Sequence, residues 1–250
     1  MTRRATTTIL GLVFLFAGGE IALGAAPDTD GVRVVLSSQD GTRRLSEEKP
    51  LAIGPARSTE LPVIEVDLAQ KRQSILGLGA SFEHATCENL SKLPAARREE
   101  VVEKLVSPAT GIGMNLMRIC IGTSDFVGEP YYTYNDLPEG ETDPALARFS
   151  IERDRAYVLP AIKLARKANP ELLFFASPWS PPARMKTSGK LGTGRVKPEH
   201  YPAYARYLLK FIQAYEAEGV SIHALTVQNE PQHQDARYPT TIWTAEENEP

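Results

Sequence analysis

The chain has 250 residues, a formal net charge of −3 and 42% hydrophobic residues. That length suits one large domain or two small ones, and the composition is that of an ordinary globular protein. The slight acidity leaves no basic footprint for nucleic acid, and no Cys/His spacing suggests zinc.

In chain order, the N-terminus comes first. Arg3 and Arg4 precede an apolar run from Ile9 to Ala17, and small residues follow from Ala22 to Ala26. This is the pattern of a secretory signal over residues 1–25, with an apolar core too short to span a bilayer comfortably. It predicts a secreted or periplasmic protein with no stable membrane insertion after cleavage. Residues 28–70 read as β-strands beside a main domain. Val32 to Ser37 alternates loosely, Gln39-Asp40-Gly41-Thr42 gives an Asp-Gly turn, and Val63 to Asp67 makes another short strand.

From Ile75 the pattern changes. Ile75 to Phe82 is a glycine-containing strand. A helix runs from Ala95 to Val106 and stops before Ser107-Pro108. Asn115 to Ile121 is a second strand, followed by a long polar loop to Ser150. Glu152 to Ala168 is helical, with Pro160 expected to kink it. Leu172 to Ser177 is a third, continuously apolar strand. A helix from Glu199 to Glu218 carries Tyr204, Tyr207, Leu208, Phe211 and Tyr215 at helical spacing, and Gly219 caps it. Ala224 to Val227 is a fourth, buried strand that ends in Gln228-Asn229-Glu230-Pro231. Thr244 caps a further helix start. Cys87 lies in a helix-like run and Cys120 in a strand-like one, which reads as two buried free thiols; a disulfide stays possible.

Strand and helix thus alternate over residues 71–250, which means a parallel sheet with helices outside. A barrel and an open doubly wound sheet both fit. The strand ends argue for a barrel, because each leads into a loop rich in polar and aromatic residues. Gly77 and Gly79 lack the third glycine of a dinucleotide fingerprint. The four strand ends supply Glu83 and His84, then Arg118 and Asp125, then Trp179, then Asn229 and Glu230. Carboxylates, an arginine, an amide and an aromatic face together suit a sugar, whose hydroxyls take polar partners and whose C–H faces stack on rings. Arg118 reads equally as a buried ion-pair partner, and His223 reads as structural. A second Asn248-Glu249-Pro250 follows no strand.

These residues resemble glycoside hydrolase family 30, the group containing glucosylceramidase. The matching stretches are Gly77 to Phe82, Gly111 to Arg118, Ser124-Asp125-Phe126, Tyr132 to Asp136, Ala176 to Pro182, Lys186-Thr187 and Thr226 to Pro231, in family order. The resemblance implies a (β/α)8 barrel with an accessory β-sandwich, of which this chain carries about strands one to four. It implies a retaining β-glycosidase, without metal or cofactor, acting on a β-linked glycan or glycolipid. Glu230 would be the general acid/base and Asn229 would hold a sugar hydroxyl. Trp179 and Arg118 would line the sugar subsite.

Two departures accompany it. Where glucosylceramidase-like members carry a hydroxyl-binding aspartate, this chain has His84 beside Glu83. The family's nucleophile follows a seventh strand, so the 250 residues are expected to be inactive alone. A β-1,6-glucanase or xylanase of the same family, and a non-catalytic carbohydrate-binding remnant, are the alternatives.

Overall fold

The computed structural model describes residues 31–55, 60, 62–65, 67, 69–127 and 130–244. The expected signal over residues 1–25 and the helix expected after Thr244 lie outside the described residues. The chain divides into two compact units, residues 1–71 and 72–250.

In the first unit, β1 (Gly31–Leu36) and β2 (Ser46–Ala52) pair antiparallel, with a register shift between Val32 and Val34. The Asp-Gly turn lies between them. Asp40 Oδ1 accepts from the Ser38 hydroxyl (2.5 Å), the Thr42 amide (3.0 Å) and the Thr42 hydroxyl (2.8 Å). These bonds, that from Ser38 first, hold its carboxyl down at about 2. The strand expected at Val63 to Asp67 does not form among its described residues: Val63 and Ile64 are 75% and 88% exposed. Alternating apolar residues make a strand only where a neighbour takes the backbone hydrogen bonds and one face is covered.

The second unit holds one parallel sheet. Its strands are β3 (Ser81–Phe82), β4 (Leu116–Ile121), β5 (Leu173–Pro178) and β6 (Ala224–Leu225), neighbours in that order. Helices α1 (His84–Ser91) and α2 (Ala95–Val106) connect β3 to β4. Helix α3 (Val158–Ala168) connects β4 to β5, and α4 (Tyr201–Ala217) connects β5 to β6. This is a partial (β/α)8 barrel whose described strands do not close. Backbone hydrogen bonds continue before the β3 ladder. Leu78 and Ala80 carbonyls accept from the Asn115 and Arg118 amides, both at 3.0 Å. Gly79 permits this approach: a Cβ there would lie 1.7 Å from the Leu116 carbonyl oxygen.

Strand periodicity sorts the side chains. Phe82, Met117, Ile119, Ile121, Phe174 and Ala176 face the helices and are fully buried. Helix α3 covers part of them with Val158, Leu159, Ile162 and Ala165, and turns Lys163 and Lys167 outward. Each aliphatic side chain so buried stabilises the fold by about 1.5–3 kcal/mol.

Four expectations need correction. Glu152 to Ala168 is not one helix but a 3-10 turn, Glu152–Arg155, followed by α3, with a break at Tyr157. Pro160 is the third residue of α3, where the missing N–H had no helical partner, so it helps start the helix instead of kinking it. The fourth strand is not buried. Only Ala224 and Leu225 form a ladder, and Ala224, Thr226 and Val227 are exposed, because β6 is an edge strand with β5 on one side. The first strand, expected over Ile75 to Phe82, is also short: it is a strand only over Ser81–Phe82, and Ile75, Leu76 and Leu78 are exposed. Helix α2 has the expected bounds. At the end of α4, Gly219 takes φ +79 while its amide and that of Val220 bond the Glu216 and Tyr215 carbonyls, closing the helix as expected. Cys87 and Cys120 are free and buried. No helix of the described residues is long and apolar enough to cross a membrane.

Candidate active site

On the sheet face opposite the helices, most of the alternate residues near the strand ends are polar. Ser81, Arg118 and Phe175 stand in one register row, and Cys120 and Ser177 in the next. Thr226 reaches this second row, its hydroxyl 2.6 Å from that of Ser177. Strand pairing thus delivers Arg118 to the side on which β5 and β6 end.

Beyond β5 the chain places Trp179, which is buried. Its indole N–H donates to Asp125 Oδ1 at 3.0 Å, so the loop after β4 fixes the ring. Its carbonyl accepts from Gln228 Nε2 (2.7 Å) and from the Thr241 hydroxyl (3.3 Å), so the segment after β6 fixes its backbone. The Arg118 guanidinium lies over the ring, 4.3 Å from its centroid, in cation–π geometry. Arg118 also donates to Asn229 Oδ1 at 2.5 Å, and the Asn229 amide donates to the Pro178 carbonyl at 2.9 Å. With Oδ1 engaged, the Asn229 Nδ2 protons face the other way, toward Glu230 Oε2 at 3.5 Å. Asn229 is therefore set to give hydrogen bonds to a ligand.

Glu230 follows at φ +47, in the left-handed region that a residue with a Cβ enters at a cost. The His233 amide donates to its carbonyl at 2.9 Å, closing a turn that holds this conformation. The carboxyl is exposed. Two buried polar atoms beside this group have no protein partner, Arg118 Nε and Gln228 Oε1. Buried polar groups are nearly always satisfied, so these two atoms are exceptions to that rule.

Five residues singled out from the sequence therefore share one constellation: Asp125, Trp179, Arg118, Asn229 and Glu230. Arg118 serves as orienter and ring partner here, and none of its described contacts is an ion pair. Two others have partners outside this group. Glu83 uses its oxygens on the Ser81 hydroxyl and the Cys120 thiol, each at 2.6 Å. Burial first and Glu83 second push the Cys120 thiol well up, so it stays protonated. His84 opens α1 with Nε2 2.6 Å from the Tyr157 hydroxyl and its ring edge-on to Tyr132. It lines a separate cleft with Tyr132, Arg153 and Tyr157, and burial lowers its pKa. Sequence reasoning gave no role to Gln228 or Thr241. Gln228 was visible as the residue before Asn229; Thr241 carried no signal. Among the described residues, no group of three or more His, Cys, Asp or Glu could hold a metal ion.

A partial parallel (β/α)8 barrel with polar and aromatic residues gathered at its strand ends defines a TIM-barrel domain, and the family comparison agrees on that fold. Residues 75–248 match the glycosyl hydrolase family 30 TIM-barrel domain, and the chain belongs to that family. It is 30% identical to the endo-1,6-β-D-glucanase of Neurospora crassa, covering 94% of this chain and 49% of that protein. It is 29% identical to mouse lysosomal acid glucosylceramidase, covering 78% of this chain and 39% of that protein. The solved structure of SrfJ from Salmonella typhimurium superposes with a TM-score of 0.72 at 28% identity, covering 86% of this chain and 47% of that one. The endo-β1,6-glucanase BT3312 superposes with a TM-score of 0.68 at 28% identity, covering 84% and 45%. The chain thus spans about half the length of the relatives it matches.

Proposed function

We propose that the protein is an exported retaining β-glycosidase, that its substrate is a β-linked glucoside, and that Glu230 is its general acid/base. The observation that carries this is the order Trp179–Arg118–Asn229–Glu230: a ring for the sugar face, an oriented amide for a hydroxyl, and an exposed carboxyl one residue on. In the first step Glu230 gives its proton to the glycosidic oxygen as the C1–O bond breaks and a second carboxylate bonds C1. In the second step Glu230 takes a proton from water, which attacks C1 and releases that carboxylate. Retention needs the two carboxyls about 5 Å apart. The second carboxylate is the one the family resemblance implies at a seventh strand.

A second reading, an endo-β-1,6-glucanase, is favoured by His84. It occupies the place of the hydroxyl-binding aspartate of glucosylceramidase-like proteins and bonds Tyr157 instead of joining Arg118 and Asn229. Supporting it, the relatives include several named endo-1,6-β-D-glucanases at 30–34% identity.

A substrate panel tests both readings: β-1,6-glucan, glucosylceramide, β-xylan and an aryl β-glucoside, offered to a chain extended through the family's length. Product anomers are followed by NMR. Glucose units released first as the β-anomer are expected. Release as the α-anomer contradicts retention, and no release from any substrate contradicts the hydrolase.

A further inference from the structure

Lys186 is the least explained residue of the barrel unit. It is 0% exposed, yet it carries an amine. Nζ reaches three oxygens: the Ser180 hydroxyl at 3.0 Å, and the Leu191 and Thr240 carbonyls at 2.5 Å each. All three are neutral. An ammonium has three donors, and here each finds one acceptor, which is the condition for burying such a group at tolerable cost. Burial alone pulls the amine down to about 7. A methionine would fill the same volume without that penalty, so the amine's contribution lies in what it joins.

What it joins are the two loops that form the candidate site. Ser180 follows Trp179 directly. Thr240 belongs to the segment that leaves the sheet at Glu230 and returns. That segment is closed on itself, because the Trp243 amide donates to the Pro231 carbonyl at 2.9 Å. It is held to the Leu191–Gly194 turn by Thr240 N→Leu191 O (3.2 Å) and Ile242 N→Gly194 O (3.0 Å). Thr241 beside it bonds the Trp179 carbonyl. Lys186 therefore sits where the Trp179 loop, the 191–194 turn and the returning end of the Glu230 loop meet.

We propose that Lys186 is a positioning residue: its Nζ sets the Glu230 loop against the Trp179 loop, and so fixes the acid/base relative to the sugar platform. This rests on the function proposed above. A misplacement of about 1 Å can lower a rate about 10²-fold, and only the proton-dependent step should suffer fully.

The protein has two tryptophans, Trp179 and Trp243, one on each joined loop. Their indole N–H signals in a ¹H–¹⁵N spectrum report the junction directly. Lys186→Met is expected to move both signals while the far-ultraviolet circular dichroism stays unchanged. In the same protein in which hydrolysis is measured, it should slow a poor-leaving-group alkyl glucoside on the order of 10²-fold, and an activated aryl glucoside about tenfold less. Unmoved signals overturn the proposal, and so does an equal loss on both substrates. Should Lys186→Met fail to fold, Ser180→Ala removes one acceptor; it should shift the same rate ratio in the same direction, and an unchanged ratio overturns the proposal. Should the parent hydrolyse nothing, the proposed function fails, and the indole signals still decide whether Lys186 joins the loops.

Discussion

Asp154 and Glu230 are two acids of one barrel unit in opposite company. Asp154 is 2% exposed and accepts three phenolic hydroxyls, from Tyr132 (2.9 Å), Tyr134 (2.6 Å) and Tyr215 (2.6 Å). Burial pushes its carboxyl up, and the three phenols pull it partly back. Its position ties the loop after β4 to α4, and its partners are all protein. Glu230 is exposed on a strained backbone, and its neighbourhood contains buried polar atoms with no protein partner. A saturated polar cluster holds a fold; an unsaturated one beside an exposed carboxyl is what the proposed acid/base role of Glu230 calls for.

The comparison can be broken by mutation. Asp154→Leu leaves three phenols without their shared acceptor and should cost about 3–5 kcal/mol, seen as a large fall in the denaturant midpoint. A change under about 1 kcal/mol would show that the cluster is not a structural hub. Buried Lys186 sharpens the contrast by pH. Its amine titrates near 10.5 unfolded and at about 7 folded, so between those values the unfolded chain holds the extra proton. Stability should then rise with pH across that window, by at most about 1.4 kcal/mol per unit, and Lys186→Met should flatten the rise. Chemical denaturation at several pH values reads both curves. Tyr215→Phe removes one of Asp154's three donors and should cost about 1 kcal/mol. Arg118→Met loses a cation–π contact and one hydrogen bond, both part-buried, and should cost about 1–2 kcal/mol, less than Asp154→Leu. It also frees the Asn229 amide to turn, so kcat/KM should still fall on the order of 10²-fold. A variant that loses stability and keeps activity reverses the assignment of the two clusters.

Local features were legible in the sequence where local physics decides them. Helix α2 shows its apolar spacing and its stop at Ser107-Pro108, and Gly219 marks the end of α4. β5 is apolar from Leu173 to Ala176, where helices cover one face and strands flank it on both sides. The strand-end residues were legible because barrel topology puts every strand end on one side. What failed depends on neighbours distant in sequence. Among its described residues the Val63 to Asp67 alternation pairs with no strand, and β6 lies at an edge of the described sheet. Pro160 changes meaning with its place in the helix, and only the break at Tyr157 fixes that place. His84 and Glu83 sit at the expected strand end, yet His84 is taken up by Tyr157 and Glu83 by Ser81 and Cys120. Lys186 and Thr241 work through carbonyl oxygens, which no side-chain pattern displays.

The role of Glu230 is tested most directly by the leaving-group dependence of Glu230→Gln. On an alkyl β-glucoside, whose departing oxygen needs a proton, the rate should fall about 10²–10⁴-fold, while glycosylation by a dinitrophenyl β-glucoside, which needs none, should fall far less. Full activity of Glu230→Gln on the alkyl glucoside would contradict the assignment of Glu230 as acid/base.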